Sequence, residues 1–543
     1  MADLSLGSLQ IGDLQGGRPI TPLPQRASAA FVAAFCGSRI RAAACSLSRL
    51  GLLPPQARQP SVPPPDGQRH GRWHPASSDA GATTTEFTPL VRLATAVQVR
   101  VACPYTDADV SNARLILVIL LCASPAILAF DGAIVHGVLA GVAAVGIAIV
   151  SRTMRPVETQ FFLSFARRAA VVAAIPALWM LIQVLPLPFL AHPIWTSAQT
   201  GIGHPIAGSI SIDIGASVMA LGFYLTIVAV AFWSASVAVD RQRAEWLLFA
   251  LMIATALIGL TVAAATVFKL PHFDTTAVLF DRTQAIDCVA MGVMIAAAAG
   301  VRTLERYETR RTSPTRSVSV LLWTYAACVA ALTICIAALI IMSAPVSALL
   351  ATIFGAVALL SVALIRRLGL GSWAALAIAV FAIAVAGLVA AREPGLPNKN
   401  LTLAFADSPA SLTELSQRIL DDTPLIGTGA GTIAAIAPIY RDVDDRTPLS
   451  TAPTAAAATA IELGRPMLWL IVATTVFSIF ILLRASLQRG RDSFYPMAGA
   501  SCLITLLILS FMNPGVLGSA AAMIAAATLG LAIAQSKSRS VQQ

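Results

Sequence analysis

Charge is what this chain has least of. Of its 543 residues only 12% are Asp, Glu, Lys or Arg, against 57% hydrophobic, with a mean hydropathy of +0.77. A soluble fold of this size exposes too much surface to be covered by so few polar groups, so a water-soluble globular class is excluded. Paired cysteine spacing is also lacking. The eight cysteines (Cys36, Cys45, Cys103, Cys122, Cys288, Cys328, Cys335 and Cys502) form no CxxC, and several lie inside apolar blocks. That removes a disulfide framework and a zinc ribbon, and leaves them as small packing residues. No metal-ligand spacing, GxSxG or HExxH pattern is present.

Long apolar runs are what is there. Twelve blocks have the length needed to cross ~30 Å of hydrocarbon as helix. They fall at about 113–130, 132–151, 169–190, 216–238, 246–268, 284–301, 317–342, 347–365, 374–391, 466–484, 496–512 and 515–535. The expected fold is therefore all-α and polytopic. Residues 1–110 differ: they are rich in Pro, Arg, Ser, Ala and Gly, as at Leu53-Pro54-Pro55 and Pro63-Pro64-Pro65. They read as a disordered cytoplasmic region, and N-terminal sequencing of the purified protein tests whether they belong to it. Residues 111–391 would carry nine spans, 392–465 a large extracytoplasmic loop, 466–536 three more spans, and 537–543 a tail.

The net charge of +10 is distributed unevenly. Alternate loops carry Arg152, Arg155, Arg167 and Arg168; Arg241 and Arg243; Arg302, Arg306, Arg310, Arg311 and Arg316; Arg366 and Arg367; and Arg484, Arg489 and Arg491. The short loops between them carry mainly Lys269 and Arg282. A positive-inside bias, rather than nucleic-acid binding, accounts for this basicity. It places both termini in the cytoplasm and the 392–465 loop outside. Within that loop, 411–420 is amphipathic, with Ser411 as N-cap and Glu414 closing a capping box, and 454–463 is an Ala-rich helix.

Chemistry in such a chain belongs to ionisable groups at or in the spans, where burial is costly. Arg282 and Asp287 bracket one end of the sixth span, and their spacing of five puts them off a common face. A guanidinium there suits a phosphate or pyrophosphate, or snorkels to headgroups. Pro424-Leu425-Ile426-Gly427-Thr428-Gly429-Ala430-Gly431 is either a phosphate cradle or a tight packing turn. No strand precedes it and no Lys follows it, which excludes a nucleotide loop. Glu462 and Arg465 form an i,i+3 pair, or Glu462 is a base facing a cavity. His192, His204 and His272 read as interfacial residues.

Four stretches together resemble the O-antigen ligase and polymerase family of bacterial membrane glycan transferases. The first is Gln183-Val184-Leu185-Pro186-Leu187-Pro188, followed by His192-Pro193-Ile194-Trp195 and Ser209-Ile210-Ser211-Ile212-Asp213. The second is Leu279-Phe280-Asp281-Arg282-Thr283-Gln284. The third runs from Arg418 to Gly431 with Tyr440 after it, and the fourth is Ala460-Ile461-Glu462-Leu463-Gly464. The resemblance implies a metal-independent glycosyltransferase of the inner membrane, without cofactor. It would move or polymerise glycan from an undecaprenyl-pyrophosphate carrier to an acceptor glycan. Arg282 and Glu462 would be catalytic, with Asp287, Arg418, Gly427, Gly429, Gly431, Tyr440 and Arg441 as substrate contacts. Two positions depart from the family pattern. Pro453 stands where it has His, and Met342-Ser343-Ala344-Pro345 lacks its Arg. A non-catalytic relative that binds lipid-linked glycan or a biosynthetic partner is the second expectation, and a transporter the third.

Overall fold

The computed structural model describes residues 107–204, 207–268, 281–310, 318–368, 400–441, 452–488 and 492–537. The expected ninth span, nearly all of the 1–110 region, and His272 lie outside them. Within this part of the chain every regular element is a helix. In order they are α1 (Asp107–Cys122), α2 (Ser124–Ala129), α3 (Ala133–Thr153), α4 (Pro156–Val184), α5 (Ile194–Ile202), α6 (Ile214–Val237), α7 (Arg241–Phe268) and α8 (Arg282–Arg310). There follow α9 (Val318–Ile341), α10 (Val346–Leu368), α11 (Ala410–Asp422), α12 (Ile433–Tyr440), α13 (Ala455–Glu462), α14 (Arg465–Gln488), α15 (Phe494–Ser510) and α16 (Ser519–Ser536).

Nine of these, α3, α4, α6, α7, α8, α9, α10, α14 and α16, are long and apolar enough to cross a membrane. The architecture is that of a multi-pass membrane protein. Two expected spans come out shorter. The block at 496–512 is the 17-residue α15. The block at 113–130 breaks between α1 and α2, because Pro125 in the first turn of α2 has no N–H to continue the ladder.

The bundle is organised around α8. In its apolar window 83% of residues are buried, against 17% for α4, α6 and α14. Its small side chains explain this: Ala285, Ala290, Ala296, Ala298 and Ala299 are all in the core. In lipid, helices associate by close packing more than by hydrophobic exclusion, so small residues decide which helix becomes central. Gly530 of α16 works the same way; any side chain there would collide with the Ala231 carbonyl of α6. Peripheral helices keep large side chains outward, as at Leu178, Val218, Trp323 and Phe477.

The arginine-rich ends of alternate helices meet at one end of this bundle. Arg302 is buried and pairs with Glu245 of α7, which Arg306 also holds at 2.7 Å. The Arg302 guanidinium lies 5.8, 5.2 and 5.9 Å from the rings of Phe249, Phe494 and Tyr495. Arg366 pairs with Glu305 at 3.2 Å, and Arg241 with Asp492 at 2.8 Å. Residues 400–441 and 452–463 pack at the other end, as three short helices over their own small core of Leu415, Ile419, Ile433, Ile436, Ala457 and Ile461.

The helix expected to be capped by Ser411 has its cap two residues earlier and starts at Ala410. Pro409 is its N-cap residue and no side chain caps it, so the capping box does not form. Proline's fixed φ already suits a helix entry. Glu414 instead pairs with Arg418 one turn on, at 3.0 Å. The Ala-rich helix does form, and Thr454 caps it by accepting from the Ala457 N–H at 3.0 Å.

Candidate functional site

Three segments far apart in sequence are tied together at the 400–463 end. Gln183, fully buried where α4 finishes, donates its amide to the Ile426 carbonyl at 3.2 Å and the Glu462 carbonyl at 2.9 Å. The Ile212 N–H donates to Thr428 O at 3.0 Å, and the Thr428 N–H to Ile461 O at 3.0 Å. Ser217 donates to the Ala430 carbonyl at 2.8 Å, and Trp179 to Leu463 O at 2.8 Å. A loop in this position must satisfy its backbone without water, and these side chains do that.

The glycines make the approach possible. Gly427 has φ +83°, and a side chain there would strike the backbone of Glu462 and Gly464. Gly429, at φ +112°, lies against Ser211. The anion at this loop is internal: the Glu462 carboxylate accepts from the backbone N–H groups of Gly431 and Ile433, where α12 begins. Glu462 therefore does not pair with Arg465, which donates to the Leu420 carbonyl at 2.7 Å. Burial pushes the Glu462 carboxyl up to about 7, and the two N–H groups hold it back from rising further.

No protein-family model matches this chain, and no curated protein matches it.

Arg282 opens α8 and is exposed. Its Nη2 donates to the carbonyls of Met342, in close contact, and Ser343, at 3.1 Å. These carbonyls follow the end of α9, where Ser343 has a positive φ of 48°. The guanidinium thus caps α9 with one nitrogen, on the very stretch 342–345 that lacks the arginine of the resembled family. Asp287 is fully buried and accepts from Asn513 Nδ2 at 3.0 Å. It makes no ion pair with Arg282, as their spacing implied.

Two patches result, joined by α13. At its start the Ala455 N–H donates to the Asn513 carbonyl at 3.0 Å, next to Asp287. At its end is Glu462. Eight helical residues put these points roughly 12 Å apart. Pro453, just before α13, receives the Ser408 hydroxyl on its carbonyl at 3.4 Å.

The remaining candidates are spread over α11 and α12. Arg418 is in the exposed pair with Glu414. Tyr440 is hydrogen-bonded to Asp422; burial first and that neighbour second push its phenol up. Arg441 has Nε and Nη2 buried without a hydrogen-bond partner among the described residues. His192 Nδ1 accepts from the Ile194 N–H at 3.3 Å, and burial pushes the ring's pKa down; His204 is exposed. Sequence reading passed over Asn513 and Ser519, and quoted Gln284 only as a motif letter. The signal for them was polar side chains inside or between apolar blocks, and an Asn-Pro step between the last two.

Proposed function

We propose that this protein is a metal-independent membrane glycan transferase of the O-antigen ligase type, working on an undecaprenyl-pyrophosphate-linked glycan outside the cytoplasm. The observation that carries the reading is the convergence of three stretches of the resemblance. Gln183, the 209–213 run, the glycine loop and Glu462 belong to one hydrogen-bonded unit. Its pull toward function lies in Glu462. A carboxyl near 7 is partly ionised at neutral pH and still basic enough to take a proton, which suits a general base.

In this reading an acceptor hydroxyl attacks the anomeric carbon of the carrier-linked sugar. The C–O bond to pyrophosphate breaks, the lipid pyrophosphate leaves with the electron pair, and Glu462 takes the hydroxyl proton. Arg282 keeps one guanidinium nitrogen on the Met342 and Ser343 carbonyls. Its Nη1 and Nε face no hydrogen-bond partner among the described residues, and they would meet the developing phosphate charge. Orientation with 400–463 outside follows from the arginine bias at the opposite end.

A second reading has a specific observation behind it. The N–H groups of Gly431 and Ile433 already hold Glu462, and Pro453 offers no proton acceptor but its carbonyl. A relative that binds lipid-linked glycan without turnover fits those facts. Deleting the gene and separating surface polysaccharide on gels distinguishes them, with complementation by wild type, Arg282→Ala and Glu462→Gln. Transferase function predicts loss of a glycan band on deletion, restored by wild type and by neither variant. Equal restoration by both variants leaves the binding role, and an unchanged polysaccharide profile on deletion sinks both.

A further inference from the structure

We propose that the junction of α8 with the 512–519 turn binds one monovalent cation, a sodium ion or a proton, through Asp287, Gln284 and Ser519. The inference does not rest on the glycan reading.

Gln284 and Asp287 are three residues apart on α8 and share a face. Both are fully buried. The turn is pressed against that face: a side chain at Gly515 would collide with the backbone of Thr283 and Gln284, and one at Gly518 with the Gln284 amide. Asn513 fixes the turn's other side, donating to Asp287 Oδ1 at 3.0 Å and accepting from the Gly515 N–H at 2.9 Å. Ser519 follows, fully buried, its N–H donating to Asp131 Oδ2 at 3.2 Å.

Four buried polar atoms of these residues are without a hydrogen-bond partner among the described residues: Asp287 Oδ2, Gln284 Oε1, Gln284 Nε2 and Ser519 Oγ. Each such atom is costly to bury, and a carboxylate more so. Such a cluster is retained where something binds it. The charge balance says what. Asp281 and Arg282 are the neighbours on α8 itself, and Arg282 is turned to the α9 carbonyls. Asp131, with His136 at 3.0 Å, stands beside Ser519, and Asp407 is bonded to Ser347 at the start of α10. The thiols of Cys335 on α9 and Cys502 on α15 lie further along α8, against Gly292 and the Met291 carbonyl, Cys288 is on α8 itself, and α16 carries no charged residue. Among the described residues Asp287 has no ion pair with a cation.

One carboxylate with neutral amide and hydroxyl oxygens matches a single positive charge and a hard ion. No group of three His, Cys, Asp or Glu suited to a heavier metal occurs among the described residues.

The test uses full-length protein purified in detergent. Thermal unfolding is followed in sodium, potassium and choline chloride at equal ionic strength and across pH. Binding of radioactive sodium is measured alongside, with unlabelled sodium and choline as competitors. For sodium, Tm rises saturably by roughly 2–5 °C over choline, about one ion binds per chain, and Asp287→Asn and Gln284→Leu lose both. For a proton, sodium has no specific effect, Glu462→Gln still gains a similar margin on acidification, and adding Asp287→Asn to that variant holds the margin at every pH. Ser519→Ala, the mildest change, weakens the response if the larger variants do not fold. No sodium effect in wild type together with no acidification gain in Glu462→Gln, or a sodium shift that survives in Asp287→Asn, overturns the proposal.

Discussion

Where α8 ends, Arg302 is surrounded by Glu245 and three aromatic rings, and further ion pairs link α10 to α8 and α7 to the segment before α15. Where α8 begins, Asp287 is as deeply buried, yet no opposite charge among the described residues compensates it. The same helix is closed by charges at one end and left chemically open at the other. Charges that answer one another stabilise a fold. A buried carboxylate without an opposite charge is where binding or chemistry belongs.

The arginine end is the place to break that contrast hardest. Arg302→Ala strips Glu245 of its buried partner and three rings of their cation, at an expected cost of about 3–5 kcal/mol. Size-exclusion profiles in detergent should show a loss of monodisperse protein far larger than for Arg282→Ala. At the open end, Gly427→Val forces a positive φ on a branched residue and drives its side chain into the Glu462 backbone. The cost is roughly 2–4 kcal/mol, read as a lower Tm, with proteolysis starting in the 400–463 segment.

Glu462 gives a gentler prediction with a definite sign. Its carboxyl lies above the ordinary 4.5, at about 7, so the fold holds the proton more tightly than the unfolded chain does. Its contribution is full below about 4.5, falls as pH rises toward about 7, and is flat beyond. Glu462→Gln should flatten that part of the stability profile and change little at low pH. A slope unaltered in the variant assigns the titration to another group. Smallest of all is Glu414→Ala, which removes only the exposed pair with Arg418. Its effect on Tm should match about 0.3–0.5 kcal/mol and vanish in high salt.

The α-helical membrane class was written in the apolar blocks, and the alternation of arginine loops foretold which helix ends meet. Both are local or periodic properties, readable without knowing neighbours. The break at Pro125 needed only the rule that proline cannot donate, yet hydropathy alone hid it. The capping box at Ser411 failed because Pro409 starts the helix first, a competition between two adjacent local signals. Site residues were legible only as types. Arg282, Asp287 and Glu462 stood out as charges in costly places, but nothing in their spacing says what each one meets.

Composition and pattern alone therefore determined that this chain crosses a membrane repeatedly, and which residues are expensive to bury. Tertiary structure decided what offsets that expense. It set the Glu462 carboxylate on the N–H groups of Gly431 and Ile433, turned Arg282 to the end of α9, and left Asp287 with Asn513 and an unanswered oxygen. The reason is one of range. Hydropathy acts on each residue by itself, whereas a hydrogen bond between residues 183 and 462 exists only once the helices between them have packed.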